Sequence, residues 1–320
     1  MGTPGRVEAG VAVVLVVVED AAGRVVVVGA AFGVEGPELH EASTSATSAS
    51  GTAANPDCRF RPFSPRIAAS MALTGGEYGA PMVTTRDITY EADGRTMVGT
   101  IALPDGTDRR PGVLVCHEGP GLDDHARSRA VRLAEELGYV AFALDYHGGG
   151  QPITSRNDMM ARIGELRADL PRARATGTAG LDILRAEPRT DPDQLAAIGY
   201  CFGGTLSLEL ARGGADLKAV VGFHSGLGTV RPEDARNITG KVLALIGADD
   251  PIVTNDERRA FEEEMRAGGV DWQLVVYGGA VHSFTNPRAT AIDLPGIAYD
   301  EATDRRSWQA MLDLFAEVFG

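Results

Sequence analysis

The sequence predicts an α/β fold with a mainly parallel central sheet, helices on both faces and an N-terminal antiparallel hairpin. Three observations carry this. From Thr84 onward, short continuous apolar runs alternate with stretches of helical period, the pattern of strands buried on both faces. Asp93-Gly94 separates two alternating runs, Thr85–Glu91 and Thr96–Leu103, which is a strong hairpin signal. Apolar residues make up 44% and charged residues 23% of the 320-residue chain, as in an ordinary globular domain.

The first 80 residues read differently. Ala9–Val18 and Val25–Ala31 are valine-rich runs interrupted by Glu19, Asp20, Gly23 and Arg24, a candidate β-hairpin. Acidic residues flank the first run, and no small-x-small cleavage site follows promptly, which argues against a signal peptide. Ser43–Ala54 holds only Ser, Thr, Ala and Gly, a linker composition. We expect residues 1–80 to be mostly disordered, an extension or the product of a misplaced start, and residues 81–320 to form the folded domain.

After the hairpin, Gly112–Cys116 reads as a buried strand. His125–Leu137 reads as a helix closed by Gly138. Tyr139–Leu144 is a second buried strand, and a helical stretch from about Asn157 to Ala186 breaks near Pro171. Strands follow at Leu195–Gly199, Lys218–Phe223, Val242–Gly247 and Trp272–Tyr277. Helices are expected at Thr205–Arg212, Glu257–Ala267 and Thr303–Phe319, the last with Trp308, Met311, Leu312, Phe315 and Phe319 on one face.

Charge and cysteine content narrow the function classes. Thirty basic against 44 acidic residues give a net charge of −14, which argues against nucleic acid and anionic membranes as partners. No apolar run reaches the roughly 18 residues a membrane helix needs. The three cysteines, Cys58, Cys116 and Cys201, are widely spaced and form no CxxC pair. That fits neither a disulfide framework nor a structural zinc site, and suits a cytoplasmic location.

The chemistry gathers at Cys201, Asp250 and His282. In Gly199-Tyr200-Cys201-Phe202-Gly203-Gly204, a strand ends, one residue sits at a sharp turn, and a helix begins. This is the nucleophile-elbow pattern GxSxG with sulfur in place of hydroxyl. A helix N-terminus favours an anion there, a thiolate over a thiol. A thiol nucleophile needs a base, and His282 lies in a glycine-rich loop after the last predicted strand, at the carboxyl edge of the sheet, where ligand sites gather. The base needs an orienter, which Asp250 can supply after strand Val242–Ile246, with Asp249 as its close competitor. An oxyanion hole needs two N–H groups. Phe202, after the nucleophile, offers one and Gly119 the other, while Pro120 has no N–H to offer.

The order nucleophile, acid, histidine is that of α/β-hydrolases. Four motifs together, His117-Glu118-Gly119-Pro120-Gly121-Leu122, the Cys201 turn, Gly247-Ala248-Asp249-Asp250-Pro251-Ile252-Val253 and Gly279-Ala280-Val281-His282-Ser283-Phe284, resemble the dienelactone hydrolase family from about Thr84 to Gly320. The resemblance implies an α/β-hydrolase fold, a Cys–His–Asp triad and hydrolysis of esters or lactones without a cofactor. It places the acid of a D-x-x-V pattern on Asp250 and gives Glu118 the part of holding the resting thiol until substrate displaces it. Two arginines that grip the substrate carboxylate in dienelactone-cleaving enzymes fall here on Gly150 and Asn286, with Arg288 two residues further on. Neither glycine nor asparagine replaces a bidentate guanidinium. The sequence therefore favours a neutral ester, a lactone or a thioester over dienelactone.

Tyr146, His147 and His224 follow predicted strands and are expected to line the substrate pocket. His117, His125, His147 and His224 are spread over four elements with no HExxH-like signature, so no metal site is expected. The rival reading is a binding protein that keeps the pocket without turnover. The complete set of nucleophile, base and acid favours the enzyme. The oligomeric state is not legible.

Overall fold

The computed structural model describes residues 83–320 and, upstream, two strands. The chain divides into two compact units, Met1–Ala72 and Leu73–Gly320. In the first, β1 (Leu15–Glu19) and β2 (Val25–Gly29) pair antiparallel with Leu15 opposite Gly29. The disorder expected for the rest of the first 80 residues lies outside the described residues.

The second unit is built on eight strands. In chain order they are β3 (Thr84–Ala92), β4 (Arg95–Leu103), β5 (Arg110–Cys116), β6 (Val140–Leu144), β7 (Thr190–Tyr200), β8 (Ala219–Phe223), β9 (Lys241–Gly247) and β10 (Trp272–Tyr277). Their order in the sheet is β10-β9-β8-β7-β5-β6-β4-β3. The β3–β4 hairpin turns at Asp93 and Gly94, with φ of 54° and 63°, the two positive values that a type I′ turn requires. β4 lies antiparallel on β6, and the remaining pairs are parallel.

Successive residues of each strand point to opposite faces, and both faces are apolar. Leu114, Val140, Phe142 and Leu144 pack on one side, beneath α2 (Arg156–Ala168), α3 (Leu170–Ala186), α4 (Phe202–Arg212) and α5 (Asn255–Gly268). Val113, Val115, Ala141 and Ile198 pack on the other, beneath α1 (Asp124–Leu137) and α6 (Glu301–Phe319).

Three boundaries differ from the expectation for physical reasons. The long helical stretch divides at Asp169, whose side chain caps α3 through the Arg172 N–H. Pro171 sits in the first turn of α3, where no N–H is needed. β7 starts at Thr190 rather than Leu195, because the segment around Pro192 runs past a register shift opposite Arg110–Gly112, a place where a strand tolerates proline. α4 starts at Phe202 rather than Thr205, since Gly203 and Gly204, poor helix formers, are required there by packing.

Strand order places the site. From β5 the chain moves outward to β6, and from β7 it moves the opposite way to β8. The order therefore reverses between the carboxyl ends of β5 and β7, the crevice where open α/β sheets bind ligands. Cys116 and Gly199 are paired neighbours there, so the loops carrying Glu118 and Cys201 emerge side by side.

Candidate active site

Cys201 sits between β7 and α4 with φ 54° and ψ −121°. A side chain held in that region costs about 1–3 kcal/mol. Its N–H is anchored to the Phe223 carbonyl at 3.0 Å and to His224 Nδ1 at 3.2 Å. The glycines around it make the turn possible. A Cβ on Gly199 would come within 2.2 Å of the Gly203 backbone, and one on Gly203 within 2.2 Å of the His117 carbonyl oxygen. A Cβ on Gly204 would overlap Ser225 Oγ at 1.6 Å. Cys201 stays half-buried while Cys116, at the end of β5, is fully buried, and both are free thiols. Burial pushes the Cys116 thiol up to about 12.

His282 is set by backbone bonds, its N–H donating to the Gly296 carbonyl at 3.0 Å and its carbonyl accepting from Ala298 at 3.1 Å. Its Nδ1 lies 2.8 Å from Asp250 Oδ2. The other Asp250 oxygen accepts from the Ile252 and Val253 N–H groups at 2.8 and 3.3 Å. Of the two candidate carboxylates, Asp250 is buried and bonded to the imidazole, while Asp249 is exposed. Burial opposes charge on His282, but the Cys201 sulfur and the Asp250 carboxylate outweigh it and raise the imidazole to about 10. Its Nε2 is buried without a well-aligned hydrogen bond, as a proton-transfer atom waiting for a partner would be.

The loop after β5 is fixed by buried polar contacts. Tyr146 donates its hydroxyl to the His117 carbonyl at 2.7 Å and the Glu118 carbonyl at 3.2 Å. His147 Nε2 meets the Gly119 carbonyl at 2.7 Å. Asp145, fully buried, accepts from the N–H groups of Val98, His147, Gly148 and Gly150 at 2.8–3.0 Å. The Gly119 N–H belongs to the same planar peptide as the Glu118 carbonyl, which Tyr146 and His117 Nδ1 hold in place. Phe202 opens α4, and its N–H belongs to the first turn, which has no intrahelical acceptor.

Glu118 is buried and bonded by Asn286 Nδ2 and Ser283. His125 Nδ1 and His224 Nε2 stand 3.8 and 3.9 Å from its two oxygens. Burial raises its carboxyl above the ordinary range against those hydrogen bonds. The surrounding imidazoles are held neutral, with burial lowering His147, His117 and His224 and taking His125 to about 3.

Tyr146, His147 and His224 were expected to form pocket walls, and the structure places them beneath the site instead. All three are buried, at 0%, 3% and 0% exposure. Apart from His147 Nδ1, their polar atoms are spent on loop carbonyls, on the Cys201 N–H and on Thr285 Oγ1. A pocket of about 330 Å³ adjoins the Cys201 turn through Phe202, and its walls include Leu166, Leu170, Phe202, Leu206 and Ile252 but not Cys201, Asp250 or His282. The expected positions for an arginine clamp hold none. Gly150 has φ 67° and no room for a side chain, since a Cβ would meet Val98 at 2.7 Å. Asn286 is engaged with Glu118, and Arg288 pairs on the surface with Asp124 at 2.5 Å.

Sequence reasoning missed Thr285, which holds His224 and His125 through its hydroxyl and carbonyl. It also missed Arg162, which donates to the Tyr146 carbonyl at 2.8 Å and pairs with Asp93 at 2.6 Å. Only adjacency to His282 could have flagged Thr285, and nothing local flags Arg162. Among the described residues no His, Cys, Asp and Glu cluster could hold a metal ion. Among them, too, no helix is long and apolar enough to cross a membrane.

The chain was compared with known proteins. The model of the dienelactone hydrolase family matches residues 97–319. A solved structure named m3DLH is 47% identical, covers 76% of this chain and 100% of its own, and superposes with a TM-score of 0.72. The dienelactone hydrolase-like promiscuous phosphotriesterase P91, from metagenomic libraries, is 42% identical over 76% of this chain and 100% of its own, with a TM-score of 0.71. A putative carboxymethylenebutenolidase of Aquifex aeolicus is 28% identical over 71% of this chain and 96% of its own.

Proposed function

The chain belongs to the dienelactone hydrolase family and is a carboxylic ester hydrolase, and from that premise we propose that it cleaves an ester or lactone through a Cys201–His282–Asp250 triad and an acyl-thioester intermediate. The observation that carries the reading is Cys201 at its strained turn, with the 2.8 Å His282–Asp250 bond aimed from the neighbouring loop.

The Cys201 thiolate attacks the carbonyl carbon, forming a C–S bond as the carbonyl π electrons move to oxygen. The Phe202 and Gly119 N–H groups hold that oxyanion, and losing one such donor would cost roughly 10²–10³ in rate. The oxyanion collapses, the C–O bond to the leaving group breaks, and His282 Nε2 gives its proton to the departing alkoxide. The neutral imidazole then takes a proton from water, whose oxygen attacks the thioester. Collapse releases the acid and returns the sulfur as thiolate, with His282 protonated again. Asp250 fixes the tautomer and steadies the imidazolium throughout. Glu118, bonded by Asn286 and Ser283, is on this reading the residue that holds the resting thiol until the approaching substrate displaces it.

Because Gly150 cannot carry a side chain and Asn286 is engaged, no carboxylate is gripped at those two places, and we do not propose dienelactone as the substrate. A second reading draws on P91, named a promiscuous phosphotriesterase. A neutral phosphotriester suits a thiol nucleophile without that clamp. Among the described residues both cysteines, Cys116 and Cys201, are free thiols, which suits a reducing compartment, and we place the protein in the cytoplasm. Hydrolysis of an activated aryl ester by the wild type and by Cys201→Ala tests the proposal, with dienelactone run alongside. Loss of turnover with the thiol supports it, and undiminished turnover without the thiol refutes it.

A further inference from the structure

We propose that the pocket beside Cys201 seats the apolar acyl chain of an ester that ends in a carboxylate, and that Arg167 receives this carboxylate. This rests on the hydrolase reading above, and it goes beyond the neutral ester that positions 150 and 286 point to. Arg167 lines the pocket from the last turn of α2, and its guanidinium carbon lies 5.5 Å from the centroid of the Phe202 ring. Its Nη2 stands 3.5 Å from where a Cβ on Gly226 would be, which places the charge at the pocket wall. Arg167 makes no hydrogen bond or ion pair with any described residue.

The carboxylates that share this pocket are already engaged. Glu209 is paired with Arg174 at 2.8 Å and Arg212 at 3.0 Å. Glu257 Oε1 accepts from the Leu227 and Gly228 N–H groups at 2.6 and 2.9 Å. Among the described residues the Arg167 guanidinium has no carboxylate partner, Glu257 across Gly226 being held by backbone N–H groups, and a planar five-donor fork matches a carboxylate in two parallel bonds. The apolar part of the wall includes Leu166, Leu170, Phe202 and Leu206. Val230 and Ile252, at 78% and 46% exposure, leave hydrophobic surface at the rim that a bound chain would cover. At about 330 Å³, the cavity is at the small end for ligand sites, suited to a short chain rather than a lipid.

The test compares mono-4-nitrophenyl adipate with 4-nitrophenyl hexanoate, which share leaving group and chain length and differ in the terminal carboxylate. The readout is the ratio of kcat/KM for the two esters. Arg167→Gln should lower the adipate-to-hexanoate ratio about tenfold, the worth of one charge-assisted contact, and Arg167→Lys should lower it less. Added salt should lower the wild-type ratio, because the guanidinium is exposed. Val230→Glu, which adds a negative charge at the exposed rim, should lower it too. A ratio unchanged by Arg167→Gln and by salt overturns the proposal while leaving the hydrolase intact. Failure of the wild type to cleave either ester, or equal cleavage by Cys201→Ala, removes the hydrolase reading and this proposal with it.

Discussion

Cys201 and His282 perturb each other, and the sign of the effect can be measured. Burial alone would keep the imidazole neutral, yet the sulfur and Asp250 raise it to about 10. The larger of those two favourable influences is the thiolate. Cys201→Ala should therefore lower the titration of His282, followed through its ring protons by NMR, with Asp250 still in place. An unchanged titration would show that the sulfur and imidazole do not interact. The same shift fixes the pH dependence of acylation. In the proposed mechanism the imidazolium is the proton donor, so kcat/KM should hold through neutral pH and fall as the pH rises toward about 10. At this scale the sequence was informative, since Cys201, Asp250 and His282 were marked by glycine patterns and chain order. Tyr146, His147 and His224 were misplaced, because a strand-end position does not say whether a side chain faces the pocket or the packed layer beneath it. Their hydrogen bonds to loop carbonyls and, for His224, to the Thr285 hydroxyl decide that, and those partners lie up to 61 residues away.

The elements around the site are held by close backbone approach, which puts the burden on glycines. Gly203 brings the first turn of α4 against the His117 carbonyl, where a Cβ would sit 2.2 Å from the oxygen. The oxygen is backbone next to the end of β5 and is tied down by the Tyr146 hydroxyl, so neither side can yield cheaply. Gly203→Ala should cost about 3 kcal/mol, the upper part of the overpacking range, read as a lower urea midpoint with unchanged slope. Activity should fall further than stability, because the displaced loop carries the Gly119 N–H. A variant with wild-type midpoint and turnover would contradict the packing account. The strands were legible because each alternates between two apolar layers, as Val113 and Val115 against Leu114 show. The first turn of α4 was not, because glycines that this contact requires mask a helix start. The first residues of β7 were hidden in the same way, where Pro192 argues against a strand and a register shift permits one.

Five buried or nearly buried histidines gather around one sheet edge, and four of them are held below their ordinary range. That has a consequence for the whole molecule. His125, pressed down to about 3 by burial and by Arg129, refuses a proton that the unfolded chain accepts near 6.5. Unfolding is therefore coupled to proton uptake, and stability is lost as the pH falls from about 6.5 toward 3. The urea midpoint should drop between pH 7 and pH 4, and His125→Gln should show a smaller drop over the same interval. Equal drops would mean that His125 carries no such linkage. At this scale the parallel sheet and the order of helices and strands were readable from periodicity. The pocket was not, because its walls come from α2, α3, α4 and the Asp250 loop, which only the folded sheet brings together.

The most direct test of the account is the rate at which Cys201→Ala hydrolyses 4-nitrophenyl hexanoate relative to the wild type. Loss of roughly 10⁴-fold in kcat/KM, with the fold intact, is the predicted result. Turnover within a few-fold of the wild type would contradict it, because a group other than Cys201 would then have to be the nucleophile.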